Sequence, residues 1–258
     1  MYSKEELLHG ITPRVIGSKL FVFDSIDSTN TCAKTLSEAG IEEGTVVFAE
    51  HQTAGRGRNG RTWLSEPQCN LLFSVVVRPQ LPKEQTAFLT FYSAVSIAQA
   101  VEAVIGRSVE CKWPNDLLLN GKKFCGILLE SSFRQSTLDY SIIGIGMNVN
   151  QTAFEKEMKL RVTSLRLEEE NEFDRKQLFQ KILLSLDLSY NDVQSGNFQT
   201  IMKEWNSRCR MFGKPVTVER EHDRLSGTAI GLSADGGLMI KTPDGMSTVY
   251  AGDVSILE

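Results

Sequence analysis

The chain has 258 residues, a formal net charge of -4, and 41% hydrophobic against 23% charged residues. Those values fit a globular protein of one large domain or a large and a small one, and argue against a generic nucleic-acid binder, which carries a basic excess. The longest apolar runs, near 71–77 and 142–147, fall far short of the ~20 residues a membrane helix needs.

In chain order, Leu-Phe-Val-Phe-Asp at 20–24 reads as a strand. Ser28, Thr29 and Asn30 are N-cap residue types and predict a helix running to Ala39, stopped by Gly40. Strands are predicted over 45–50 and 70–77, separated by a glycine- and arginine-rich stretch at 54–61. Apolar residues at 88, 91, 92, 95, 98, 101 and 105 have helical spacing. A strand over 109–113 stops at Pro114, and runs at 116–119 and 123–130 flank Asn120-Gly121, the preferred dipeptide of a type I′ hairpin. A buried strand covers 140–149, and helices cover 173–190 and 198–209. Beyond Gly213, short strand candidates alternate with Asp-Gly turns, enough for a small barrel of about five strands. Strands and helices mix without strict alternation, so the fold class is α+β, a mixed sheet packed with helices. The amino terminus carries no apolar signal core, and five scattered cysteines without a CxxC pair predict reduced thiols in a cytoplasmic protein, with neither disulfides nor structural zinc.

Three stretches carry candidate chemistry. In Gly55-Arg56-Gly57-Arg58-Asn59-Gly60-Arg61-Thr62, glycines let backbone approach a ligand, and three arginines repel one another unless an anion neutralises them. A phosphate does so through bidentate hydrogen bonds; the plain alternative is a solvated loop. A Walker A reading fails, because such a loop opens a helix and Pro67 follows here. The second stretch, Lys112-Trp113-Pro114-Asn115-Asp116, clusters a cation, an amide and a carboxylate around a proline bend, and is by itself also an ordinary turn. The third, Lys123-Phe124-Cys125-Gly126-Ile127-Leu128-Leu129-Glu130, places a lysine in an apolar strand, where it either serves chemistry or protects a sheet edge.

Taken together, these stretches resemble the biotin protein ligase family. Asp27–Asn30 is similar to its D-S-T-N, 52–63 to its Q-x-A-G-R-G-R-x-G-R-x-W, 112–116 to its K-W-P-N-D, and 123–130 to its K-x-x-G-I-L-x-E. Residues 144–149 and 163–165 resemble its G-I-G-x-N-V and T-S-L. The resemblance implies a catalytic domain at 1–212 followed by an SH3-like barrel at 213–258. It implies two half-reactions: biotin and ATP give biotinyl-5′-AMP and pyrophosphate, and a lysine of a biotin carboxyl carrier protein or domain of a biotin-dependent carboxylase then takes the biotin. By the same resemblance, Ser28, Thr29, Asn30 and Gln52 line the biotin site. Gly55, Arg56, Gly57 and Arg58 form a loop closing over biotin and the adenylate, and Trp63 supplies an apolar wall. Lys123 reaches the carboxylate and α-phosphate, Lys112 and Asn115 support phosphate or metal, and Asp116 orients or deprotonates the acceptor lysine. Gly126, Gly146 and Asn148 lie close to the ligand. Mg²⁺ is expected to be held mainly by the ATP phosphates.

Some family members carry an N-terminal helix-turn-helix and repress transcription. Here the first catalytic strand begins after only 20 residues, too few for a three-helix DNA-binding domain, so the expectation is a ligase with neither DNA nor membrane as partner. The R-R-x-S-G-G-G motif of the nearest competitor, a lipoate or octanoate ligase, is absent. A binding module with an inactive main domain is the other alternative, against which Arg58, Lys112, Asp116 and Lys123 all stand. The sequence leaves monomer or homodimer open.

Overall fold

A seven-stranded mixed sheet forms the body of the protein. The structure, a computed structural model, describes residues 2–257 other than Glu157, Lys159, Glu221 and His222. Ahead of the sheet lies α1 (Lys4–Leu8), whose Ser3 and Glu6 form a capping box. The sheet comprises β1 (Lys19–Ile26), β2 (Thr45–Gln52), β3 (Leu71–Val77), β4 (Glu110–Lys112), β5 (Asp116–Leu119), β6 (Lys122–Arg134) and β7 (Thr137–Met147). Its order is β1-β2-β3-β7-β6-β5-β4; β1 and β2 run parallel and every other neighbour is antiparallel. Asn120 and Gly121 both have positive φ, 50° and 75°, as the predicted β5–β6 turn requires.

The helix α2 (Thr29–Glu38) covers one face of the sheet, burying Ala33 against Val47, Val76 and Ile142. The other face carries α3 (Phe88–Ile105), α5 (Arg175–Gln194) and α6 (Phe198–Arg208). Sandwiched between the sheet and its neighbouring helices, α3 is apolar nearly all round. It is long and apolar enough to match a membrane span, and 67% of its apolar window is buried within the protein. Gly106, at φ 69°, ends it where the periodicity stops. Aromatic edges join the layers: Phe179 of α5 meets Phe48 and Phe73 at ring distances of 5.2 Å each. A short α4 (Leu165–Glu169), like α1, escapes sequence periodicity because five residues carry too few apolar positions.

The second sheet is antiparallel, in the order β11-β10-β9-β8-β12. Its strands are β8 (Pro215–Glu219), β9 (Arg224–Leu232), β10 (Leu238–Thr242), β11 (Gly245–Val249) and β12 (Asp253–Ile256). Among the described residues, β11 and β12 do not pair, so hydrogen bonds do not close the expected barrel. Yet only 250–252 separate these two edge strands in sequence. Four Cα steps span at most about 14 Å, whereas a flat five-stranded sheet sets its edges roughly 19 Å apart. The sheet is therefore curled toward a barrel without being zipped. Its core residues Val216, Val218, Leu238 and Val254 join the same buried cluster as α3 and α6. Trp113 Nε1 donates to the Gly236 carbonyl at 3.1 Å across the junction.

Candidate active site

A cavity of about 780 Å³ opens over the β6–β7 face of the large sheet and is walled by four segments from distant parts of the chain. At one end, Ser28 occupies the N-cap position of α2 without capping it, so its hydroxyl is not committed to the helix. Gln52, at the end of β2, accepts through Oε1 from Thr29 N at 2.7 Å and Thr29 Oγ1 at 3.0 Å. Asn30 is 4% exposed; its Oδ1 lies 2.6 Å from Ser74 Oγ, and its Nδ2 donates to Glu130 Oε2 at 2.6 Å. This end is thus a set of hydroxyls and amides held in fixed orientation by one another.

The glycine-arginine loop forms the second wall. Gly57 N donates to the Arg61 carbonyl at 2.7 Å and Trp63 N to the Gly55 carbonyl at 3.0 Å, which folds the loop back on itself. A Cβ at Gly55 would lie 2.6 Å from the Trp63 carbonyl, so Gly55 shapes the loop without lining the cavity. The expectation that these arginines need an external anion requires correction for Arg56 and Arg61, which pair with carboxylates; the amide that meets Arg58 carries no charge. Arg56 pairs with Glu130 at 2.8 Å, Arg61 with Asp253 of β12, and Arg58 donates to Asn115 Oδ1 at 3.1 Å. Sequence inspection cannot foresee these partners, because Glu130, Asp253 and Asn115 lie far away along the chain. Burial holds the Arg58 guanidinium below its usual pKa, against the opposing pull of Asp253 and Asp116.

The floor is β6 and β7. Trp63 lies so close to it that a Cβ at Gly146 would come within 2.5 Å of the indole, and one at Gly126 within 3.0 Å. Gly144, which opens the G-I-G-x-N-V stretch but is not among the expected site residues, lies beneath Asn30; any side chain there would overlap the amide oxygen. Lys123 Nζ sits 2.6 Å from Asp116 Oδ1 and 5.5 Å from the Trp63 ring centroid. The strand also holds Lys122 and Arg134, at its two ends. Lys112 faces Asp116 across the β4–β5 ladder but does not line the cavity. Burial, more than any neighbouring charge, depresses its pKa.

The fourth wall, formed by Ala153, Phe154, Glu155, Met158 and Val162, is absent from the sequence reading of the site. Lys123 N donates to the Arg161 carbonyl at 2.9 Å and Thr163 N to the Lys123 carbonyl at 2.8 Å, pinning this segment beside Lys123. Asn148 ties it further, donating to the Thr163 carbonyl at 3.0 Å. Among the described residues, two buried polar atoms of cavity residues have no hydrogen-bond partner: Trp63 Nε1 and Asn148 Oδ1. Unsatisfied polar atoms are costly in a stable interior and suit a surface built to receive a polar ligand. No cluster of three or more His, Cys, Asp or Glu side chains is present among the described residues, and all five cysteines are free.

This fold and site define a mixed-sheet enzyme with an amide-lined end and a cationic end in one cavity. Residues 22–148 match the Biotin/lipoate A/B protein ligase family, and residues 211–257 the Biotin protein ligase C terminal domain. The Bifunctional ligase/repressor BirA of Bacillus spizizenii is 36% identical over 98% of this chain and 79% of its own length. The biotin–[acetyl-CoA-carboxylase] ligase of Paracoccus denitrificans is 30% identical over 88% of this chain and 96% of its own. The biotin protein ligase of Aquifex aeolicus, solved in complex with biotin and ATP, superposes with a TM-score of 0.79 at 31% identity, covering 93% of this chain and 99% of that one. The chain belongs to the biotin protein ligases.

Proposed function

We propose that this protein activates biotin with ATP and transfers it to one lysine of a biotin carboxyl carrier protein or domain. The observation that carries the reading is the joining, in one cavity, of the Thr29–Asn30–Gln52 amide end to the Arg58–Asn115–Asp116–Lys123 charged end. In the first half-reaction a biotin carboxylate oxygen attacks the α-phosphorus of ATP and pyrophosphate leaves. In the second, the carrier lysine's amine attacks the acyl carbon of biotinyl-5′-AMP, and AMP leaves with the P–O bond intact.

Two anions meet in the first step, so fixed positive charge at the meeting point lowers the barrier. Lys123 and Arg58 supply it, and Asn115 aims the Arg58 guanidinium through their hydrogen bond. Lys112, outside the cavity wall, acts through Asp116 across the ladder. Ser28, Thr29, Asn30 and Gln52 match the donor and acceptor pattern of a ureido ring, while Trp63 and the bare backbone of Gly126 and Gly146 make a flat slot for the rest of the ligand. Asp116, in contact with Lys123, is the carboxylate placed to receive or orient the incoming amine. The donor set suits Mg²⁺ carried in on the nucleotide: the charged end offers cations and isolated carboxylates, and Mg²⁺ at such sites is held largely by substrate phosphates and water. We assign catalysis to residues 1–212 and a docking or nucleotide-retaining role to 213–258, which sends Asp253 into the cavity. Free cysteines suit a reducing cytoplasm.

The test is mass spectrometry of a carrier domain incubated with the protein, MgATP and either biotin or lipoate. One biotinyl group on a single lysine is the expected result. An unmodified carrier, or modification by lipoate in preference to biotin, would overturn the reading.

A further inference from the structure

Glu130 does not line the cavity, yet a single oxygen of its carboxylate touches two of the cavity's walls. Oε2 accepts from Asn30 Nδ2 at 2.6 Å and from Arg56 Nη2 at 2.8 Å. Asn30 belongs to the amide end, with Ser74 and Thr29 behind it. Arg56 opens the glycine-arginine loop and bridges to Thr62, so its position carries Arg58 and Trp63 with it.

Resting on the ligase reading, we propose that Glu130 is a positioning residue that couples recognition of the biotin head group to closure of the loop over the reaction centre. A carboxylate only accepts hydrogen bonds. Glu130 therefore obliges Asn30 to turn its NH₂ toward β6 and its Oδ1 toward Ser74, which sets the pattern the amide end presents to a ligand. The same oxygen holds Arg56 over the cavity. A ligand that engages Asn30 stiffens Glu130, and a stiffened Glu130 is a better anchor for Arg56. The converse also holds: a closed loop orders Asn30, so head-group binding and loop closure share one linkage. Glutamine at 130 keeps an accepting oxygen but brings an amide that competes for the Asn30 orientation, and alanine removes both contacts.

The experiment measures two quantities in the full chain: the biotin dissociation constant, by calorimetry without ATP, and the escape rate of biotinyl-5′-AMP formed from biotin and MgATP. Hydrogen bonds to charged groups are worth about tenfold or more in affinity, and the partial exposure of Glu130 and Arg56 reduces this. Glu130→Ala is expected to weaken biotin roughly tenfold and to speed adenylate escape by about three- to tenfold. Glu130→Gln, which preserves volume and guards against a folding defect, should lie between wild type and alanine in both. Arg56→Ala should speed escape as Glu130→Ala does while weakening biotin less, and the double variant should escape no faster than either single one. Movement of only one quantity in the glutamate variants, or additive escape rates in the double variant, would overturn the coupling. If wild type makes the adenylate and the variants match it, the coupling alone fails. If wild type makes none, the ligase reading fails and takes the coupling with it.

Discussion

Replacing Lys123 by alanine separates chemistry from stability at this site. Its Nζ lies 2.6 Å from Asp116 Oδ1 and 5.5 Å from the Trp63 centroid, and the two charged side chains are 28% and 21% exposed. A partly solvated ion contact contributes about 1 kcal/mol, and an exposed cation–π contact about 0.5–1 kcal/mol. The variant should therefore lose about 1–2 kcal/mol of stability, a fall of a few degrees in Tm. The catalytic loss is larger, because charge accumulates on the α-phosphate in the first transition state: removing a comparable preorganised donor costs about 3–4 kcal/mol, or roughly 100- to 1000-fold. Pyrophosphate release in the presence of biotin and ATP reads the first half-reaction, and transfer from supplied biotinyl-5′-AMP to a carrier domain reads the second. Adenylate synthesis should fall far more than transfer. Adding Asp116→Asn removes the stranded carboxylate and should restore Tm without restoring synthesis. Equal losses in both half-reactions, or recovery of synthesis in the double variant, would refute the assignment of Lys123 to the α-phosphate.

Gly146→Ala should push the Trp63 indole off the floor, since the new Cβ lies 2.5 Å from it; tenfold or greater loss of biotin affinity is expected, with a change in tryptophan fluorescence as a second check. Arg58→Gly should release biotinyl-5′-AMP faster than wild type, because it removes the Asn115 contact and adds backbone freedom to the loop; streptavidin blotting of bystander albumin reads the leak. Removing residues 213–258 takes away Asp253 and core residues shared with α3. A folded truncation should keep its amide end and bind biotin while failing in ATP use or carrier transfer, as calorimetry and pyrophosphate release will measure. Lys112→Met should be more stable than wild type near pH 8. Burial depresses the folded-state pKa of Lys112, so its desolvation cost is present in full below that value and is relieved as pH rises toward the unfolded-state value. The difference in Tm between variant and wild type should therefore shrink as pH is raised from 8 past 10.5.

Much of the site is legible along the chain because neighbouring residues carry it in compact runs. Lys112, Asn115 and Asp116 share one strand-turn-strand segment, and Arg56, Arg58 and Trp63 share one loop, so local chemistry alone marks them. The helices α3 and α5 announce themselves through periodicity because their burial repeats over several turns. By contrast, α1, α4 and β12 are too short to leave a period. Ser74 looks like an ordinary member of a buried strand until the sheet brings Asn30 against it.

Residue types and their spacing thus determined the order of strands and helices, the type I′ turn at Asn120-Gly121, and the identity of the polar and cationic groups. Tertiary structure alone decided which charges meet. Arg56 finds Glu130 from 74 positions away, Arg61 finds Asp253 from 192 away, and Arg175 finds Glu50 across 125. The reason is physical: backbone preference and hydrophobic period act over a few residues and are written locally, whereas an ion pair or a close approach to glycine depends on sheet order and register. Here the order β3-β7-β6 lays Gly144, Gly146 and Glu130 beneath residues drawn from the first quarter of the chain.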